Sequence, residues 1–166
     1  MKYPKFAYKY GLLILIGLGA NGVGYSQNWR RITPLKTVRM EVEKLLGVSS
    51  GPYHATYNLP TGVLFVEYST GPCTPGRKGG WNVPEYTVVS LRFEPKSKKK
   101  FASLKLDSSK FRRTVGKHVG GVVYYTNEED GITYEIQRGR VDAIEYLPPK
   151  HYHSLQCGEG GALDSK

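Results

Sequence analysis

The sequence predicts an α+β domain built from tandem helix-plus-three-strand repeats, its strands forming one antiparallel sheet with both helices packed on one face. Three observations predict this. A constant offset of 69 residues lays Leu35, Lys36, Gly47 and Gly62 over Leu104, Lys105, Gly116 and Gly131. Past the second glycine the offset falls to 53, and residues 88–95 (VVSLRFEP) lie over residues 141–148 (VDAIEYLP). The 16-residue difference (69 − 53) fits one insertion, residues 71–86. Repeat one then spans residues 34–95 and repeat two residues 103–148.

In the first repeat Thr37 is a good N-cap, and Val38, Val42, Leu45 and Leu46 fall on one helical face. Gly47 supplies the stop. Residues 53–58 read as a strand, Leu59-Pro60-Thr61-Gly62 as a turn, and residues 63–68 as a second strand whose unbroken apolar start implies burial. A third strand follows the insertion at residues 87–93. In the second repeat Asp107 or Ser108 opens a weaker helix that carries Phe111 and Val115 inward and ends at Gly116. Residues 119–127 form a strand, and Glu128-Glu129-Asp130-Gly131 a turn. Ile132–Gln137 alternates between apolar and polar, so one face meets water. Arg138-Gly139 makes a tight hairpin, residues 141–147 complete the sheet, and Pro148-Pro149 end it. Each helix has a single apolar stripe, which places both on the same side of the sheet. The small, polar residues 158–166 read as a disordered tail.

Residues 1–26 have the pattern of a secretory signal: Lys2, Lys5 and Lys9 precede Leu12-Leu13-Ile14-Leu15-Ile16, and small residues follow at Gly24 and Ser26. The apolar stretch is about half of the ~20 residues that span a bilayer. Cleavage after Ser26 removes three lysines and no acid, so the formal charge falls from +10 to +7 (10 − 3). Residues 27–157 are sized for one domain. In the oxidising compartment such a leader implies, Cys73 in the insertion and Cys157 near the end are candidates for a disulfide. The competing reading is a free nucleophilic or metal-binding thiol.

The charge is not evenly spread. Residues 96–117 hold nine basic side chains against Asp107, a net of +8 (9 − 1). Lys98, Lys99, Lys100, Arg112 and Arg113 are therefore candidates to bind an anionic partner, such as lipid head groups, a wall polymer or an acidic envelope protein. The alternative is a solvated linker and helix face. Nucleic acid fits the charge but not the compartment. Trp81, in a Gly/Pro-rich excursion, is a candidate anchor for a partner or a lid on the core.

His151, His153 and Cys157 form an H-x-H-x3-C pattern that falls short of a complete zinc set, so no metal and no cofactor are assigned. A cysteine–histidine hydrolase or metal-dependent enzyme using these residues is the alternative function, and it requires a thiolate. Glu67 and Glu135 lie on corresponding strands, as paired carboxylates for acid–base work would. The offset places Glu67 over Ile136, however, so the two are expected to face differently. The stretch from Gly71 to Trp81 lacks the Lys-Ser/Thr ending of a phosphate-binding loop.

Thr33-Pro34-Leu35-Lys36-Thr37 leading to Glu41-Val42-Glu43-Lys44-Leu45-Leu46-Gly47, followed by paired strands, resembles the helix motif of the SmpA/OmlA outer-membrane-assembly proteins and the β-lactamase-inhibitor-protein fold. The whole of the chain after the leader, with Trp29-Arg30 near its start and Trp81-Asn82-Val83-Pro84 in the insertion, resembles a family of uncharacterised exported bacterial proteins. These resemblances imply a periplasmic or extracellular, non-enzymatic binding or scaffolding role. The chain departs from the first family in lacking a lipid-attachment cysteine, and no binding residues carry over.

Overall fold

Among the described residues every strand joins one sheet, and each neighbouring pair is antiparallel. The computed structural model describes residues 28–75, 79–116 and 121–158. The expected leader at residues 1–26 and the expected tail, from residue 159 on, lie outside the described residues. The strands are β1 (His54–Leu59), β2 (Gly62–Tyr68), β3 (Val88–Pro95), β4 (Arg112–Val115), β5 (Val122–Asn127), β6 (Ile132–Gln137) and β7 (Arg140–Tyr146). Their order across the sheet is β1-β2-β3-β7-β6-β5-β4.

Alternation decides which side of the first half is buried. Ala55 and Tyr57 of β1, and Leu64, Val66 and Tyr68 of β2, point to one face and are buried there with Leu91 of β3. Helix α1 (Arg39–Leu46) seats on that face through Val42, which has no exposed surface. Trp29 and Ile32 close the cluster, the Trp29 ring lying 5.6 Å from that of Phe93. Thr37 is not the helix cap. Its hydroxyl accepts the Thr33 N–H at 2.9 Å, closing a turn before the helix. The helix starts one residue later, with the Glu41 carboxylate accepting the Val38 N–H at 3.0 Å, half of a capping box. Gly47, at φ 93°, ends it.

The expectation of two helix-plus-three-strand repeats with helices packed on one face is overturned. Among the described residues there is one α-helix of eight residues in a mostly antiparallel seven-stranded sheet. Where the second helix was expected, from Asp107 or Ser108 to Gly116, the chain makes a 3-10 turn, Ser108–Lys110, and then β4, with another 3-10 turn, Phe101–Leu104, ahead of them. The local sequence explains the difference. Ser108-Ser109 and Thr114-Val115 are poor helix formers, and Lys110, Arg112 and Arg113 would load the positive end of a helix dipole with more positive charge. Asp107 caps a single turn by accepting the Ser109 N–H. Pairing with β5 then satisfies the backbone groups on the inner side of residues 112–115. The sheet still gains a cover on this side from aromatic rings. Phe101 stacks on Tyr125 at 4.3 Å, and Phe111 meets Tyr134 at 5.8 Å.

What repeats is the strand framework. At the centre Leu91 pairs with Tyr146, Arg92 with Glu145 and Phe93 with Ile144. An offset of 53 takes residues 91, 92 and 93 to 144, 145 and 146, so the pairing is symmetric about Arg92–Glu145. Both central strands also carry one unpaired extra residue. Glu67 pairs with Ser90 but Tyr68 with Val88, leaving Val89; Glu135 pairs with Ala143 but Ile136 with Val141, leaving Asp142. Those bulges are again 53 apart (142 − 89).

The position of the bulges makes β2 and β6 correspond at an offset of 68 (135 − 67), one fewer than the sequence suggests. The hairpins account for the slip: between equivalent pairs, six residues separate Tyr57 from Leu64 and four separate Asn127 from Ile132. One residue of register moves a side chain to the other face. Glu67 and Glu135 therefore share a face, contrary to expectation.

The turns also set which glycines are indispensable. A β-carbon on Gly131, at φ 65°, would lie 2.2 Å from the Leu147 carbonyl oxygen and 3.0 Å from the Pro149 nitrogen, whereas one on Gly139, at φ 72°, meets nothing within 4 Å. Gly139→Ala should cost about 1–2 kcal/mol, the price of the left-handed backbone alone. Gly131→Ala should cost about 3 kcal/mol or more, and equal costs in urea denaturation would refute this account of the β6 turn.

Candidate functional site

One face of the sheet is covered by α1 and the 101–111 segment; the other exposes Thr56, Phe65 and Glu67 in its first half and buries Thr133 and Ala143 in its second. Opposite the core, the register lines up Thr56, Phe65, Arg92, Glu145, Thr133 and Thr126 in a row across six strands. At one end of this face the insertion and the C-terminal segment form an arch. Cys73 and Cys157 are joined in a disulfide with α-carbons 5.6 Å apart, within the usual span for such a bond. Beside it, Asn82 N–H donates to the Leu155 carbonyl at 2.7 Å and Cys157 N–H to the Gly80 carbonyl at 3.0 Å. The 3-10 turn Lys150–Leu155 is held to the β5–β6 connection by Lys150, whose N–H donates to the Glu128 carbonyl and whose ammonium pairs with Glu129.

Beneath the arch lies a cleft of about 540 Å³. Trp81 and His153 line it from the arch, their rings 6.2 Å apart, while Glu67, Ser90, Thr126 and Thr133 line it from the sheet. Polar contacts hold this floor in place. Ser90 Oγ–H donates to Glu67 at 3.0 Å, and Thr133 Oγ1–H donates to Thr126 Oγ1 at 3.2 Å.

Next to the cleft, charges gather about the central pair. Arg92 makes ion pairs with Glu94 at 3.0 Å and with Glu135 at 2.9 Å, the latter reaching over β7. Glu145 sits among them without an ion pair of its own. Burial pushes its carboxyl above the ordinary glutamate range, Glu135 and Glu67 push the same way, and Arg92 opposes them.

The structure separates the residues the sequence grouped. Trp81 is half-buried in the cleft wall, not on the core. Lys98 pairs with the bulge residue Asp142, the Lys99 carbonyl accepts the Val141 N–H at 2.9 Å, and Lys100 bridges to Arg140, all at the start of β7, away from the arch. Arg112 lies on the edge strand and pairs with Glu128 at 2.5 Å. Arg113, its neighbour in β4, faces the other side. Of the H-x-H-x3-C pattern, His153 reaches the cleft, His151 lies against the Tyr152 ring, and the Cys157 sulfur is in the disulfide. Among the described residues no group of three or more His, Cys, Asp or Glu side chains is placed to hold a metal ion. Sequence reasoning missed Ser90, Thr126, Thr133 and Glu145; the alignment of Arg92 with Glu145 was the signal that marks their neighbourhood.

The position of Glu145 fixes a pH dependence. Below the ordinary glutamate pKa the side chain is protonated folded and unfolded, so it costs nothing. As pH rises the unfolded chain ionises first, and stability falls until the pH passes the raised native value. Glu145→Gln should therefore raise Tm at pH 7 and leave it nearly unchanged at pH 4. Equal shifts at both pH values would contradict the burial of this carboxyl.

No protein-family model matches the chain, and no curated protein matches it. Among solved structures it is similar to a DUF4309 family protein (YjgB) from Bacillus subtilis at 11% sequence identity and a TM-score of 0.47, over 74% of this chain and 84% of that one.

Proposed function

We propose that this chain is an exported, non-enzymatic binding module of the cell envelope, taking its partner on the open sheet face in the cleft beneath the Trp81 arch. The observation that carries this reading is an asymmetry of cover. One face is packed under α1 and the 101–111 segment, while the other keeps a polar floor from Glu67 to Thr133 with a stapled aromatic wall above it. A sheet face left open beside a rigidly held tryptophan has the make-up of an interface hot spot.

Export is the compartment that agrees with the residues. The leader pattern at residues 1–26 and a disulfide both belong with an oxidising environment. Among the described residues no helix is long and apolar enough to cross a membrane. The hydrolase alternative needs a thiolate at Cys157, and the disulfide leaves that sulfur none. Thiol titration of the folded, exported protein should accordingly find no reactive sulfhydryl; a titratable Cys157 would reopen the enzyme reading.

The cleft and the basic segment make opposite predictions for capture of envelope material on the immobilised, exported protein. Trp81→Ala should abolish capture, and reversal of Lys98, Lys99 and Lys100 to glutamate should leave it intact. The converse pattern would move the binding surface to the lysine run.

A further inference from the structure

Resting on that reading of the cleft, we infer that its ligand is a neutral oligosaccharide, with one sugar ring laid on Trp81 and its hydroxyls directed to Glu67 and the threonine pair. The volume of about 540 Å³ falls within the roughly 300–1,000 Å³ of ligand pockets. The ligand class follows from the chemistry of the walls.

A pyranose presents two unlike surfaces, a flat patch of C–H groups and a rim of hydroxyls that each donate and accept. Trp81 answers the first with a rigid aromatic plane that has few conformations to lose. The floor answers the second with both hydrogen-bond senses. Glu67 is acceptor-only when ionised, and Ser90 donates to it, fixing its orientation. Thr133 donates to Thr126 at 3.2 Å, which leaves the Thr126 hydroxyl hydrogen for a ligand oxygen. His153, beside Trp81, adds an imidazole at the same wall.

Two other ligand classes fit less well. An extended peptide is recognised through main-chain hydrogen bonds at a sheet edge, but this floor is built from interior strands: β2 and β6 have a paired strand on each side, and β3 is paired with β2 along its length and with β7 at Leu91, Arg92 and Phe93. An anionic polymer needs cations, and among the described residues no lysine or arginine lines the cleft. The nearest basic side chain of the edge strand, Arg112, is held by Glu128.

The test uses the exported protein on an array of cello-, malto- and chito-oligosaccharides together with hyaluronan and heparin fragments, followed by calorimetric titration with the tightest neutral binder. Neutral oligosaccharides should bind. Trp81→Ala and Glu67→Gln should each weaken that binding by about tenfold or more, with thermal unfolding confirming that both variants remain folded. A blank array, or binding confined to the acidic fragments, overturns the inference. If the array is blank while Trp81→Ala still abolishes capture of envelope material, the sugar falls and the cleft stands. Neutral-glycan binding that survives both substitutions would remove the cleft as well.

Discussion

The short antiparallel join between β3 and β7 is the constraint on which the rest of the structure depends. It consists of Leu91, Arg92 and Phe93 against Tyr146, Glu145 and Ile144, whereas β2 and β3 pair over seven positions. On the core face it sets Leu91 and Phe93 beside Tyr146, making one apolar layer out of two halves. On the open face it sets Arg92 against Glu145. The Arg92–Glu135 ion pair passes over β7 and so links β3 to β6, supporting a join that has few backbone hydrogen bonds of its own.

The two bulges show how corresponding strands in the two halves meet different surroundings. A bulge bends its strand and re-aims the residues beside it. Val89 lies at the arch end of β3 and lines the cleft, while Asp142 lies at the opposite end of β7 and pairs with Lys98. The same local distortion thus opens a site in one half and anchors the lysine run in the other. The insertion that carries Cys73 and Trp81 exists in the first half alone, which explains why the cleft has no counterpart across the local twofold.

Much of the sheet was legible because its signals are local. The turn at residues 60–61, the Arg138-Gly139 hairpin, with both residues at positive φ, and the alternation of Ile132–Gln137 specify strands by themselves. The 53-residue offset even marked the Arg92–Glu145 pair on which the halves turn. The second helix was misread because alignment with the first repeat carried a helix onto a segment whose own propensities oppose it, and tertiary pairing with β5 decided the matter. The facing of Glu67 and Glu135 was misread for a quantitative reason. The two hairpin turns differ in length by two residues, half of which appears as register in β6, and a period-2 pattern converts one residue of error into the wrong face. The cleft was least legible of all, since its floor comes from β2, β3, β5 and β6 and its wall from a disulfide spanning 84 residues.

The distribution of charge follows from the same geometry. The chain is strongly basic, yet Lys98 pairs with Asp142 and the edge Arg112 with Glu128, while Lys99 and Lys100 meet the start of β7 through their backbone. Close to the molecule those pairs are locally neutralised. Farther out the excess of +7 in residues 27–166 persists, limited by a screening length of about 8 Å at physiological salt. No described lysine or arginine lines the cleft, so the basic exterior and the cleft are separate features of the sheet.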